Sequence, residues 1–207
     1  MMRREEKGTI LDLLRAPAER DPEAVAIRAP GRSPLTYSGL LEHVGGMVKF
    51  LNVRGINRGD RIATVLPDGP EMAVAFLGVA AGAVCAPLNP AYSRSEFEFY
   101  LSDLNPKALI VQSGMNTAAT RVAQEHDSPI IEVLPNSEGL AGTFRLRGKW
   151  QPQTSVGISH GADVRAERRL DHVSASPFGE ALTCRAGLRV ILFLFPLRSK
   201  GYGSSTN

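Results

Sequence analysis

The sequence predicts an α/β protein, on three observations. Short apolar segments of strand character alternate with segments of helical periodicity. Clusters of Gly, Pro, Asn and Asp separate them. The composition is that of an ordinary globular chain, with 43% hydrophobic and 22% charged residues over 207 positions.

The elements follow in order. From Thr9 to Arg20 the sequence places Ile10, Leu13, Leu14 and Ala18 on one helical face, with Pro17 in the last turn. Asp21-Pro22 breaks it, and Ala24 to Ala29 alternates as a strand. Pro30 to Pro34 is a turn cluster, and Leu35-Thr36-Tyr37 resumes strand character. Ser38 is the expected N-cap of a helix that buries Leu41, Val44, Val48 and Leu51 and ends at Arg54-Gly55. Arg58-Gly59-Asp60 turns into a buried strand, Arg61 to Leu66. Pro67 to Pro70 forms a loop into a helix from Glu71 to Ala81, which Gly82 is expected to stop. Val84 to Pro87 is a strand, and Ser95 to Leu101 a helix with Glu96 and Glu98 near its positive end. Lys107 to Val111, Asn116 to His126 and Pro129 to Val133 read as strand, helix and strand. Leu134 to Asp163 reads as loop.

Charge divides the chain unevenly. Met1 to Asp163 holds 17 basic and 18 acidic residues, whereas Val164 to Asn207 holds 7 and 3. The net charge of +3 therefore belongs to the tail, and the body offers no clustered Lys and Arg for nucleic acid. Cys85 and Cys184 stand in unrelated contexts, so no disulfide framework is expected, and Cys85 reads as a small buried hydrophobe. His43, His126, His160 and His172 show no ligand spacing, so no metal is expected. Met1 to Lys7 leads into no apolar signal core, and the longest apolar run, Val190 to Leu197, is too short to span a membrane. An intracellular, cytoplasmic setting is the expectation, with the peroxisome left open.

Two stretches carry a family resemblance. Leu35-Thr36-Tyr37-Ser38-Gly39-Leu40 resembles the first core motif of adenylate-forming enzymes. Arg58-Gly59-Asp60-Arg61 through Leu66-Pro67, Glu71 to Phe76, and Gly82 to Pro90 resemble the second. Ala91-Tyr92 and Glu96 to Asp103 are similar to the oxalate–CoA ligase branch, near the 4-coumarate–CoA ligases, and Leu109-Ile110-Val111 matches the family's next strand. The ordered motifs span Thr9 to Asp163. The resemblance implies the N-terminal subdomain of the adenylate-forming fold, incomplete, with an irregular C-terminal tail. Residues 1–163 form a partial AMP-binding domain and residues 164–207 a non-family tail.

Family chemistry joins a carboxylate to ATP, giving an acyl-adenylate and pyrophosphate, after which the thiol of CoA displaces AMP. The resemblance implies ATP, Mg and CoA for the parent. It also implies a Ser/Thr/Gly-rich phosphate loop ending in Lys, an adenine loop, an Asp on the ribose, and a Lys from a C-terminal domain. Gly161-Ala162-Asp163-Val164 resembles the lead-in to the phosphate loop, and the pattern stops there. No Walker loop, GxGxxG or Gly-x-Ser-x-Gly elbow stands in for it. Gly201 to Thr206 faintly resembles the adenine loop but lacks the following acid and reads as coincidence. No catalytic, cofactor-binding or metal residue is therefore assigned, and no cofactor is expected for this chain. Gly82, Pro67, Pro87 and Asn89-Pro90 read as structural, and Tyr92 as packing rather than pocket lining.

The loss of pattern at Val164 suggests a frame shift, retained intron or mis-spliced exon, with a disordered or adhesive tail. The expectation is a truncated ligase-family member, inactive alone and poorly soluble. The alternative is a non-catalytic module that binds the full-length enzyme or a chaperone through exposed apolar faces.

Overall fold

The computed structural model describes residues 8–148. Expectations for the Met1–Lys7 segment, Cys184, His160, His172, Gly161–Val164, Val190–Leu197, Gly201–Thr206 and the tail from Val164 lie outside the described residues. Chain order is α1 (Ile10–Arg20), β1 (Val25–Ile27), β2 (Leu35–Thr36), α2 (Tyr37–Val53), β3 (Arg61–Val65), α3 (Pro70–Gly82), β4 (Val84–Pro87), α4 (Arg94–Leu104), β5 (Ala108–Gln112), α5 (Ala118–Glu125), β6 (Ile130–Pro135) and β7 (Phe144–Gly148).

Four of the five helices begin on a Ser or Thr that caps a free main-chain N–H. Thr9 and Ser93 each form a full capping box, with Asp12 and Glu96 reaching back to the cap amide at 2.8 and 2.7 Å. The Ser93–Glu96 spacing moves the start of α4 to Arg94, ahead of the expected Ser95, and the helix runs on to Leu104. The expected cap Ser38 is likewise displaced by Thr36, whose Oγ1 accepts from the Gly39 N–H at 3.2 Å. The Tyr37 and Ser38 amides instead bond back to Ala24 and Pro22. At the far end of α2, Gly55 sits at φ +73°, with Gly55 N–H to Asn52 O and Ile56 N–H to Leu51 O. That is a Schellman ending, with Ile56 and Leu51 both buried beside it.

The main sheet has the order β4-β3-β5-β6-β7, parallel except for the antiparallel pair β6-β7. β1 and β2 form a separate antiparallel pair. Strand pleating sends alternate residues to two cores. Ile62, Cys85, Ile110, Ile131 and Val133 face a cluster built with α1, α2 and α3. Ala63, Val65, Ala86, Leu109 and Val111 face a second cluster with Phe97, Tyr100, Leu101, Leu104 and Val122 of α4 and α5. Helices on both faces are what a parallel sheet requires.

Three expectations are corrected by this packing. Leu13 is 58% exposed, while Ile10, Leu14 and Ala18 carry the buried face of α1. The buried face of α2 is Leu40, Val44, Met47 and Leu51, so Leu41 and Val48 flank the core. Gly82 lies within α3 and not beyond its end, and its Cα side packs beside Val48 of α2. β7 is a further correction, because it lies in the expected loop from Leu134 to Asp163. Phe144-Arg145-Leu146-Arg147 alternates apolar with charged, the pattern of a strand with one face in the core.

The two edge strands differ. In β4 the Val84 and Leu88 amides donate to Asp60 and Thr64 on the β3 side. The main-chain groups of Cys85 and Pro87 therefore point to the open edge, and Pro87 has no N–H to offer there. β7 contains no proline.

Candidate functional site

In open parallel sheets the natural ligand position is beyond the carboxyl ends of the strands. Here the ends of β3 and β4 open into a crevice of about 460 Å³ lined by Leu66, Asp68, Met72, Pro87, Asn89 and Ala91, among others. Its walls are local in origin. Gly69, at φ +158°, and Pro70 launch α3 without a side-chain cap. Asn89 Oδ1 accepts the Ala91 N–H at 2.9 Å and closes the turn after β4, the loop-fixing role expected of Asn89-Pro90.

The start of α3 is held from behind by Arg32. Its guanidinium pairs with Glu71 and donates to the carbonyls of Asn136 and Leu140 at 2.7 and 2.6 Å. Ala141 N–H adds a bond to Ser33 O at 2.8 Å, and Gly142, at φ +80°, lets the β6–β7 turn approach Pro70. A Cβ at Gly142 would lie 2.9 Å from the Pro70 carbonyl oxygen. Three distant segments thus meet at one largely buried ion pair.

Among the described residues the crevice presents a single ionisable side chain, Asp68, and no Lys or Arg. A carboxylate repels phosphate, so Asp68 by itself does not favour an anion there. Tyr92 stacks on Tyr100 at 5.2 Å and meets Phe97 edge-on at 5.8 Å, which places it in packing against the α4 core, as expected. Cys85 is fully buried, and burial pushes its thiol up to about 12, so it is inert as a nucleophile at neutral pH. Among the described residues no three His, Cys, Asp or Glu side chains converge to hold a metal ion. No described helix is long and apolar enough to cross a membrane.

A second concavity of about 430 Å³ lies between α2 and β7, lined chiefly by Leu35, Met47, Phe50, Leu140, Phe144 and Leu146. His43 borders it and meets Phe144 edge-on at 4.6 Å, and burial pulls its imidazole below the ordinary value. Sequence reasoning missed this groove because it treated Phe144 and Leu146 as loop.

The fold defines a class: an open, mostly parallel α/β unit, covered by helices on both faces, with its crevice at the strand ends. The family model described as AMP-binding enzyme matches residues 14–171. The CoA ligase CCL9 of Humulus lupulus is 36% identical over 134 residues, covering 64% of this chain and 26% of that protein. The oxalate–CoA ligase of Arabidopsis thaliana is 34% identical over 122 residues, covering 58% and 24%. A solved structure of VinN with 3-methylaspartate superposes with a TM-score of 0.51 at 28% identity, covering 60% of this chain and 34% of VinN. The chain belongs to the AMP-binding enzyme family, and it spans about a quarter of the length of these two curated relatives.

Proposed function

We propose that this chain supplies the front α/β subdomain of an AMP-forming carboxylate–CoA ligase and performs neither half-reaction by itself. In the complete reaction a carboxylate oxygen attacks the α-phosphorus of ATP and pyrophosphate leaves. The CoA thiol then attacks the acyl carbon and AMP leaves. The observation that carries the reading is the family match over residues 14–171 joined to a strand-end crevice whose only ionisable group among the described residues is Asp68. The described residues make a wall and a scaffold. At the crevice they offer no cation for the β- and γ-phosphates, and nowhere among them do three His, Cys, Asp or Glu side chains converge on a metal ion. The reading places the chain inside the cell, where ATP and CoA are available.

The test is ATP–pyrophosphate exchange on the purified chain with Mg, using oxalate and a hydroxycinnamate as acyl donors. No exchange above the protein-free background is expected. Carboxylate-dependent exchange that scales with chain concentration would overturn the scaffold reading.

A further inference from the structure

The two edges of the main sheet are chemically unlike, and only one is fit to receive another strand. In the β6-β7 pair, Asn136 N–H donates to Thr143 O, and Val133 O is taken by Ser113 N–H of the neighbouring strand. Antiparallel bonding alternates, so Arg145 and Arg147 turn their main-chain groups to β6. Phe144, Leu146 and Gly148 turn theirs to the open side, and among the described residues no strand pairs with them. The opposite edge, β4, turns out Pro87.

Each face of β7 states what a sixth strand must carry. On one face Phe144 and Leu146 border the apolar groove between α2 and β7. On the other, Arg145 and Arg147 are exposed; Arg147 is paired with Glu132 at 2.7 Å, and Arg145 joins no ion pair among the described residues. From these observations we infer that the open edge of β7 is a β-augmentation site for an extended peptide segment of a partner protein, apolar at alternate positions and acidic at those between. The apolar side chains enter the groove, the carboxylates face Arg145, and the peptide main chain bonds to Phe144, Leu146 and Gly148. A second copy of this chain fits poorly. Antiparallel pairing centred on Leu146 would set Arg145 directly across from the copy's Arg147, and like charges across a strand pair repel. This inference requires no ligase chemistry and stands or falls apart from it.

The probe is a fluorescein-labelled heptapeptide of alternating Val and Glu, titrated into the full chain and followed by anisotropy. Saturable binding is expected, with the Val-Lys counterpart weaker by about tenfold or more. N-methylation removes donors without altering charge; of the two sets of alternate peptide amides, methylating the set that faces β7 is expected to abolish binding and methylating the set that faces solvent to leave it. Arg145→Glu is expected to reverse the preference between the acidic and basic peptides, which a merely unfolded variant would not do. Absence of saturable binding, indifference to peptide charge, or binding that survives N-methylation of each set of alternate amides in turn would each overturn the inference. Amide exchange in the peptide-free chain supplies the remaining arm. Fast exchange at Phe144, Leu146 and Gly148 agrees with an open edge. Protection there means that the edge is already covered, by this chain's own residues if independent of concentration or by a second copy if not, and either result refutes an open site.

Discussion

Replacing Arg32 by Ala removes the one cation that joins the β1–β2 connection, the first turn of α3 and the β6–β7 turn. Arg32 and Glu71 are 12% and 15% exposed, so the Glu71 carboxylate would be left unpaired in a largely dry setting. Removing one partner of a buried pair costs about 3–5 kcal/mol. The carbonyls of Asn136 and Leu140 lie in exposed surroundings, where water replaces the lost donor cheaply. The expected cost is therefore about 3 kcal/mol, the low end of that range. Glu71→Gln in the Arg32→Ala background removes the orphaned charge, and at least half the loss should return. Urea unfolding of the four variants of the cycle, followed by circular dichroism, measures this. The coupling between the two sites should be about 2 kcal/mol and should persist in 1 M salt, because a pair this buried is weakly screened. An Arg32→Ala cost below about 1 kcal/mol, with coupling that vanishes in salt, would show that the pair behaves as a surface contact and refute the reasoning.

Further expectations follow from single residues. Ser93→Ala breaks the capping box of α4 and should lower stability by about 1 kcal/mol in the same urea assay, with Ser95→Ala within about 0.5 kcal/mol of the parent. In a Cys184→Ser background, Cys85 should react with a thiol reagent at pH 8 only after urea is added; prompt reaction in the folded chain would contradict its burial. His43 has a folded-state value below its unfolded one near 6.5, so its neutral form favours the fold. That contribution is complete above pH 6.5 and is lost as pH falls from there through the folded value. The midpoint in urea should drop across that window, and His43→Phe should flatten the drop; equal slopes in both proteins would remove His43 as the cause.

Much of the architecture was legible because the parallel strands are short apolar runs bounded by punctuation. Ile62 to Val65 and Leu109 to Val111 are buried on both sides, so no alternation was needed to find them. The α2 face was read about one position out of register, since Leu40-Leu41 and Met47-Val48 are adjacent apolar pairs and periodicity alone does not say which member faces inward. Cap positions failed for a different reason. Ser95 and Ser38 have the right chemistry, but Ser93 has Glu96 three residues on, and the Tyr37 and Ser38 amides donate to the carbonyls of Ala24 and Pro22 respectively, a tertiary fact. β7 carried its signal openly in Phe144-Arg145-Leu146-Arg147, yet the surrounding Gly, Ser and Asn residues outweighed it. The strand-end crevice was invisible in sequence because Asp68 and Asn89 are brought together only by the β3-β4 pairing.

Pro87 also limits how copies of this domain can accumulate. Fibrous growth of stacked sheets needs two adhesive sides on every subunit, one to join and one to be joined. A copy that attached through its open edge would expose Pro87 to the next arrival, and the missing amide would stop the series there. Association through the two described edges of the main sheet therefore terminates after one addition. Turbid or fibrous material from this chain would have to grow from some other surface, or from molecules whose sheet has come apart.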